Sequence, residues 1–295
     1  VLRFGVEHKA VENHEELMLS AGENWRIVEA FTDEGSFVVH PPTGKWTIAI
    51  GEYLFGVSPF GWRFMVALLG TVSVVMFARI IRGMCRSDLF GAIAGLLLAL
   101  DGIHIVLSRT ALLDIVLSTF VLAGFGALVI DRDQTRLRLA ELGSARANSS
   151  EFWEQTAAGF GPSFGLRPWR LIAIFFLALA VSVEWSGLWF LAIFMIMTLL
   201  WDVSTRRAIG IRRPWVATLL KSAPIAFLST LFITLGVYLL SWTGWFLSDS
   251  GWGRTWANAQ GASWIPGSLR SLANYHQEAW SFHVSLSSEH NYQSN

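Results

Sequence analysis

Cysteine, charge and tyrosine are all scarce in this chain. Its 295 residues include one Cys and four Tyr, and 15% are charged. The single thiol, Cys85, excludes an internal disulfide and any metal site built from several cysteines. A soluble domain carries about 25% charged residues, so the deficit excludes an ordinary cytosolic enzyme and a disordered chain. Lys+Arg and Asp+Glu both number 22. With no net charge there is no electrostatic footprint for nucleic acid. A Walker-type phosphate loop, a dinucleotide fingerprint and a nucleophile elbow are also absent from the sequence.

What is present is apolar. Hydrophobic residues make up 53% of the chain, aromatics 14%, and the mean hydropathy is +0.46. Long apolar runs need lipid as solvent, and the backbone in lipid must satisfy its own hydrogen bonds. The fold class expected is therefore an all-α polytopic membrane protein. The first residue is Val1 and the last ones are Tyr292-Gln293-Ser294-Asn295, so the chain reads as a fragment of a longer protein.

Residues 1–61 are too charged to span. Six apolar segments follow, near 62–82, 89–108, 112–130, 170–186, 188–204 and 215–241, most of them close to the ~20 residues a spanning helix needs. Trp185-Ser186-Gly187 predicts a tight hairpin between the fourth and fifth. Residues 242–295 form a Trp- and His-rich tail. Six spans place residues 1–61 and the tail on one side as external loops, with cytoplasmic loops near 83–88, 131–169 and 205–214. Arginine and lysine set the orientation. Fourteen cations, from Arg79 to Lys221, flank the loops after spans one, three and five, against eight on the opposite side. The richer side is expected to be cytoplasmic.

Ionisable groups in or beside spans are costly and mark candidate sites. Asp101, His104, Arg109 and Asp114 flank the outer ends of spans two and three, Glu184 ends span four, and Arg63 opens span one. All lie toward one face. A proton or ion pathway would instead need polar groups through the whole bilayer, and a transporter would show broken helices in paired halves. The run His40-Pro41-Pro42-Thr43-Gly44-Lys45-Trp46 joins a rigid approach to a cation at the interface. His276, His283 and His290 recur every seven residues. On a helix that step is ~10.5 Å, too far for two of them to share one metal, but it keeps them on one face of an interfacial amphipathic helix. The six tail tryptophans read as interfacial anchors. Asp33-Glu34, before Gly35, reads as an exposed acidic turn, and the run around Glu12, Glu15 and Glu16 as a solvated helix face.

These residues resemble the protein O-mannosyltransferases, in the form found in actinobacteria. The run from His40 to Trp46 is similar to that family's HPPxGK motif. Gly61-Trp62-Arg63-Phe64 resembles the start of its next span. Leu98-Ala99-Leu100-Asp101, His104 and the run from Leu107 to Asp114 resemble LALD…H…LSRxxLLD. Trp185-Ser186-Gly187-Leu188 resembles WSGL. Tyr275-His276, Phe282-His283, Leu286, His290, Tyr292 and Ser294 resemble YH…FH..L…H.Y.S. The motifs occur in order along nearly the whole chain.

The resemblance implies a GT-C glycosyltransferase bundle that moves mannose, with inversion, from polyprenyl-phosphate-mannose to Ser or Thr of exported proteins. Its expected setting is the outer face of a bacterial cytoplasmic membrane, with the lipid bilayer, the lipid-linked donor, exported proteins and the secretion machinery as partners. No cofactor beyond the donor is implied, and divalent-metal use is left open. The family's Asp-Glu pair, which would hold the catalytic base, falls upstream of Val1 by motif order, so no catalytic residue is assigned here. Arg63 is the first candidate for the donor phosphate, with Lys45 and Arg109 behind it. His40, Asp101, Asp114, Glu184, His276, His283 and His290 are candidates for shaping the site. Many relatives carry a basic residue where this chain has Glu184. The runner-up is another GT-C transferase using a different lipid-linked sugar; the different class is a polytopic transporter.

Overall fold

The computed structural model describes residues 2–3, 6–10, 31–146, 160–161 and 164–286. Three short strands, β1 (Leu2–Arg3), β2 (Val6–Ala10) and β3 (Phe31–Gly35), form a small antiparallel sheet in that order. His8 pairs with Gly35 and Ala10 with Phe31. Asp33 and Glu34 therefore lie in a paired strand rather than the expected turn. The acidic run at Glu12, Glu15 and Glu16 lies outside the described residues.

The rest of the described chain is helical, as the apolar runs require. The helices are α1 (Thr43–Phe55), α2 (Pro59–Cys85), α3 (Asp88–Leu100), α4 (Gly102–Leu107), α5 (Leu113–Arg146), α6 (Pro168–Val181), α7 (Gly187–Ala208), α8 (Pro214–Lys221), α9 (Ala223–Ser241), α10 (Thr243–Leu247) and α11 (Gly267–Ser285). A 3-10 turn covers Trp256–Ala259. Among the described residues, four helical stretches are long and apolar enough to cross a membrane: Pro59–Cys85, Leu113–Glu141, Gly187–Ala208 and Pro214–Ser241. Asp88–Leu100 and Pro168–Val181 are apolar but shorter.

Each of the six apolar segments is largely helical; the fourth leaves the helix after Val181, the sixth is interrupted at Ser222, and two more segments differ from the sequence expectation. The second breaks at Asp101, which leaves helical geometry (ψ 124°) and caps α4 by accepting from the His104 amide at 2.7 Å. A carboxylate next to Gly102 competes for the backbone there and starts a new helix. The third segment does not stop at 130. Helix α5 runs on to Arg146, well into the region expected to be loop.

Side-chain capping fixes the starts of the first hairpin. Ser58 accepts from the Gly61 amide at 3.2 Å with Pro59 at the first helical position. Arg86 closes α2 in the left-handed region (φ 50°), and Ser87 caps α3.

Helix α6 lies at the centre, packed against α5, α7 and α9. Ala173, Ile174, Leu177, Ala178 and Ala180 are fully buried. That burial explains how a 14-residue helix belongs to the bundle. In lipid the gain comes from packing and dispersion rather than release of water. The outward faces of α2, α7 and α9 keep exposed Leu, Ile and Phe, as lipid contact demands.

At the cationic end a buried ionic cluster joins α5, α6 and α7. Arg167 donates to Asp131 and to Asp202 (2.6 Å), and Arg170 donates to Asp202 (2.7 Å) and Thr198 (3.1 Å). Arg206 stacks over Phe164 at 4.1 Å and donates to Ser222 at 3.1 Å. Asp131 and Asp202 are 2% and 1% exposed, so each is held by guanidinium rather than by water.

Candidate functional site

At the opposite end, two glycines bring three chain segments into contact. A side chain on Gly44 would meet Leu113 Cδ2 at 2.7 Å and Val183 Cγ1 at 3.0 Å, so glycine lets the head of α1 sit against the start of α5 without moving those side chains. A side chain on Gly187 would meet the Val181 amide nitrogen at 2.6 Å, so the α6–α7 connection closes only with glycine there. The Thr43 amide donates to Ser182 O at 3.1 Å and ties the first of these segments to the second. The HPPxGK-like and WSGL-like motifs are thus two sides of one junction.

Helix α11 closes over that junction. Tyr275 is buried, and its hydroxyl donates to Val38 O at 2.8 Å and accepts from the Val38 amide at 3.0 Å. It packs in an aromatic cluster with Trp242, Trp245, Trp252 and Phe37. Trp242 and Trp245 are core residues at 4% exposure, not the interfacial anchors expected from sequence. Their neighbours are the rings of α11, and burying them there docks that helix. Trp264 and Trp280 are exposed.

The junction gathers His40, Asp114, Glu184, Trp185, Tyr238, His276 and His283. Trp185 stacks on His276 at 5.8 Å and on His283 at 5.6 Å. His40 meets the His283 ring edge-on at 5.7 Å. His276 Nδ1 donates to Leu272 O at 2.7 Å, which leaves Nε2 of the neutral ring to accept from the Tyr238 hydroxyl at 2.7 Å. Tyr238 in turn accepts from Trp185 Nε1 at 3.0 Å. The relay Trp185–Tyr238–His276 thus has one consistent set of protons. Burial lowers the His276 pKa below the ordinary imidazole value, with its backbone hydrogen bond opposing.

Glu184 sits in the α6–α7 connection and accepts from the Ser186 hydroxyl at 3.2 Å. Burial raises its pKa, the charge of nearby Asp114 raises it further, and Ser186 and His283 oppose the rise. Two carboxylates, a histidine and an indole therefore share one half-open space. Such a group accepts hydrogen bonds from hydroxyls, and burial favours the protonated form of Glu184.

The remaining predicted residues lie apart from this group. Lys45 folds back on its own motif, donating to His40 O at 3.4 Å. Asp101 is a helix cap, and His104 Nε2 donates to Gly70 O at 3.1 Å, pinning α4 to α2. Arg63 and Arg109 are exposed and make no side-chain hydrogen bond or ion pair with described residues. His290 lies outside the described residues. Among the described residues no three His, Cys, Asp or Glu side chains group as a metal site would require. An apolar cavity of about 460 Å³ is lined by Phe77, His104, Leu117, Phe190 and Phe194 among others.

Sequence reasoning missed Tyr238, Asp131 and Asp202 as structural partners. Tyr238 left a signal, being a hydroxyl inside an apolar run. The two aspartates border cationic loops, where nothing in the sequence sets them apart from other charged residues.

Residues 13–145 match the sequence model of a family described as dolichyl-phosphate-mannose-protein mannosyltransferase. The polyprenol-phosphate-mannose–protein mannosyltransferase of Mycobacterium tuberculosis is 42% identical over 253 residues, 84% of this chain and 47% of that protein. Its namesake from Mycolicibacterium smegmatis is 41% identical over 84% of this chain and 48% of its own length. The one from Corynebacterium glutamicum is 36% identical over the same shares. The chain thus spans about half the length of the curated relatives it matches. No solved structure matches it.

Proposed function

The chain is a sequence relative of the protein O-mannosyltransferases, and on that premise we propose that the whole protein transfers mannose from polyprenyl-phosphate-mannose to Ser or Thr hydroxyls of exported proteins. The acceptor oxygen attacks the anomeric carbon. The bond from that carbon to the phosphate oxygen breaks, and a β-linked donor gives an α-mannoside. A carboxylate must take the hydroxyl proton, and cations must offset charge growing on the departing phosphate. The reaction takes place at the outer face of the bacterial cytoplasmic membrane, and the secretion machinery delivers the acceptor. The cation bias supports that side, because the acid–histidine junction lies opposite the arginine-rich end.

The convergence of Asp114, Glu184, His40 and His283 around Trp185 carries this reading. Carboxylate oxygens and aromatic faces are what a sugar ring needs for recognition. Glu184 and Asp114 bind sugar or acceptor hydroxyls there, while proton removal falls to the Asp-Glu pair that the resemblance implies. Arg63 takes the donor phosphate, because a guanidinium near the start of α2 with no partner among the described residues can bind two phosphate oxygens at once. Lys45 and Arg109 are the second-rank cations. Isoprenoid units of the donor lie along the apolar cavity beside His104.

The test uses the full-length protein, polyprenyl-phosphate-mannose and a Ser/Thr peptide. Arg63→Ala should lower turnover about a hundred- to thousand-fold with membrane insertion intact. Arg63→Lys should recover only part of it, since charge returns without the fork. Full activity with reduced stability in Arg63→Ala would remove Arg63 from the site. Transfer from a different lipid-linked sugar, and none from this donor, would replace the reading with the runner-up.

A further inference from the structure

Two neighbouring cavities at the cationic end share two lining residues. The first, about 460 Å³, is polar and is lined by Arg79, Arg82, Gly83, Arg86, Ser87 and Asp88. The second, about 600 Å³, is an apolar groove between α2, α5 and α6, with Val75, Ile80, Ile130, Trp169 and Phe176 among its walls. Arg79 and Gly83 line both. Gly83 offers no side chain to divide them, and a Cβ placed on it would meet nothing within 4 Å. The polar cavity is strongly cationic. Arg82 is paired with Asp88, whereas Arg79 and Arg86 are exposed and make no side-chain hydrogen bond or ion pair with described residues. Asp133, at the groove's rim, is held by Arg132 Nε at 2.7 Å. The cavity thus has three guanidiniums against one carboxylate.

We propose that this pair of cavities binds one anionic diacyl phospholipid from the leaflet at the cationic end, its phosphate among Arg79, Arg82 and Arg86 and an acyl chain in the groove. A groove open to lipid at that depth takes hydrocarbon. The cations then choose among headgroups: a zwitterionic lipid brings its own ammonium, while an anionic one leaves its charge for the arginines. The ligand would sit where α2 turns into α3 and wedge against α5 and α6, so it steadies the same helices that carry the junction at the other end. Transfer chemistry plays no part in the site, and its loss would be measured separately from loss of catalysis.

The test uses full-length protein delipidated in maltoside detergent. It is titrated with dioleoyl phosphatidylglycerol or dioleoyl phosphatidylcholine and read by native mass spectrometry and by thermal unfolding. One phosphatidylglycerol should bind per chain and raise the Tm, and phosphatidylcholine should do neither. Arg79→Gln and Arg86→Gln should each weaken phosphatidylglycerol about fivefold, as expected for one cation at a lipid surface. Gly83→Leu should block binding while leaving the lipid-free Tm unchanged. Should Gly83→Leu prove unstable, the double variant Arg79→Gln/Arg86→Gln, made at two exposed positions, decides the matter alone. Equal binding of both lipids, or undiminished phosphatidylglycerol binding in the arginine variants, would overturn the proposal. Tighter binding of polyprenyl phosphate at these arginines would overturn it too, by giving the site to the carrier lipid.

Discussion

Tyr238 is the one tyrosine within the apolar segments, and it links an indole to an imidazole. Tyr238→Phe should cost about 1–3 kcal/mol, because Trp185 Nε1 and His276 Nε2 are both left without their partner. Chemical unfolding of the purified variant measures this; an unchanged midpoint would show that water replaces the hydroxyl. Glu184 gives a pH test. Its folded pKa is raised above 4.5, so the folded state holds the proton more tightly than the unfolded chain does. Its contribution to stability is full below 4.5 and is lost as pH rises through the folded value. Glu184→Gln should therefore match the parent near pH 4 and exceed its Tm at pH 7, while lowering transfer in the full-length enzyme. A parent whose Tm does not fall relative to Glu184→Gln between those pH values would contradict the burial argument. His276 has the opposite sign: its pKa is depressed, so its contribution is present above 6.5 and is lost as pH falls through the lower folded value.

At the scale of elements, two clamps hold the bundle. One is the Tyr275 hydroxyl on Val38, which fixes α11 over the junction. The other is the ionic cluster on α5, α6 and α7. Asp202→Ala takes from Arg170 its 2.7 Å carboxylate and leaves Asp131 as the one carboxylate beside two buried guanidiniums, and should cost about 3–5 kcal/mol. Thermal unfolding in detergent should show it as a large drop in Tm, and a change within experimental error would mean that water enters the cluster. The break at Asp101 is a smaller device of the same kind. It shortens α3 and lets His104 reach back to α2.

For the whole molecule, orientation decides which end faces the outside of the cell. Cys85 is exposed at the α2–α3 turn, so burial cannot hide it from reagents. In intact cells a membrane-impermeant maleimide should leave it unlabelled, and permeabilisation should expose it. Rapid labelling of intact cells would invert the orientation and move both the junction and the proposed lipid cavity to the other leaflets.

The sequence by itself determined the helical membrane class, the six apolar segments and the motifs that mark the site end, because apolar length and the local demands of proline and glycine are read directly from residue order. It could also place His276 and His283 on one helical face, since that follows from the seven-residue step. Only the tertiary structure decided that these histidines meet Trp185 and that Tyr238 joins them, because the contacts cross helices far apart in the chain. The same holds for Asp131 and Asp202. In the sequence nothing sets them apart from other charges beside cationic loops. Packing of α5, α6 and α7 removed the water and left guanidinium as the partner that could offset their burial.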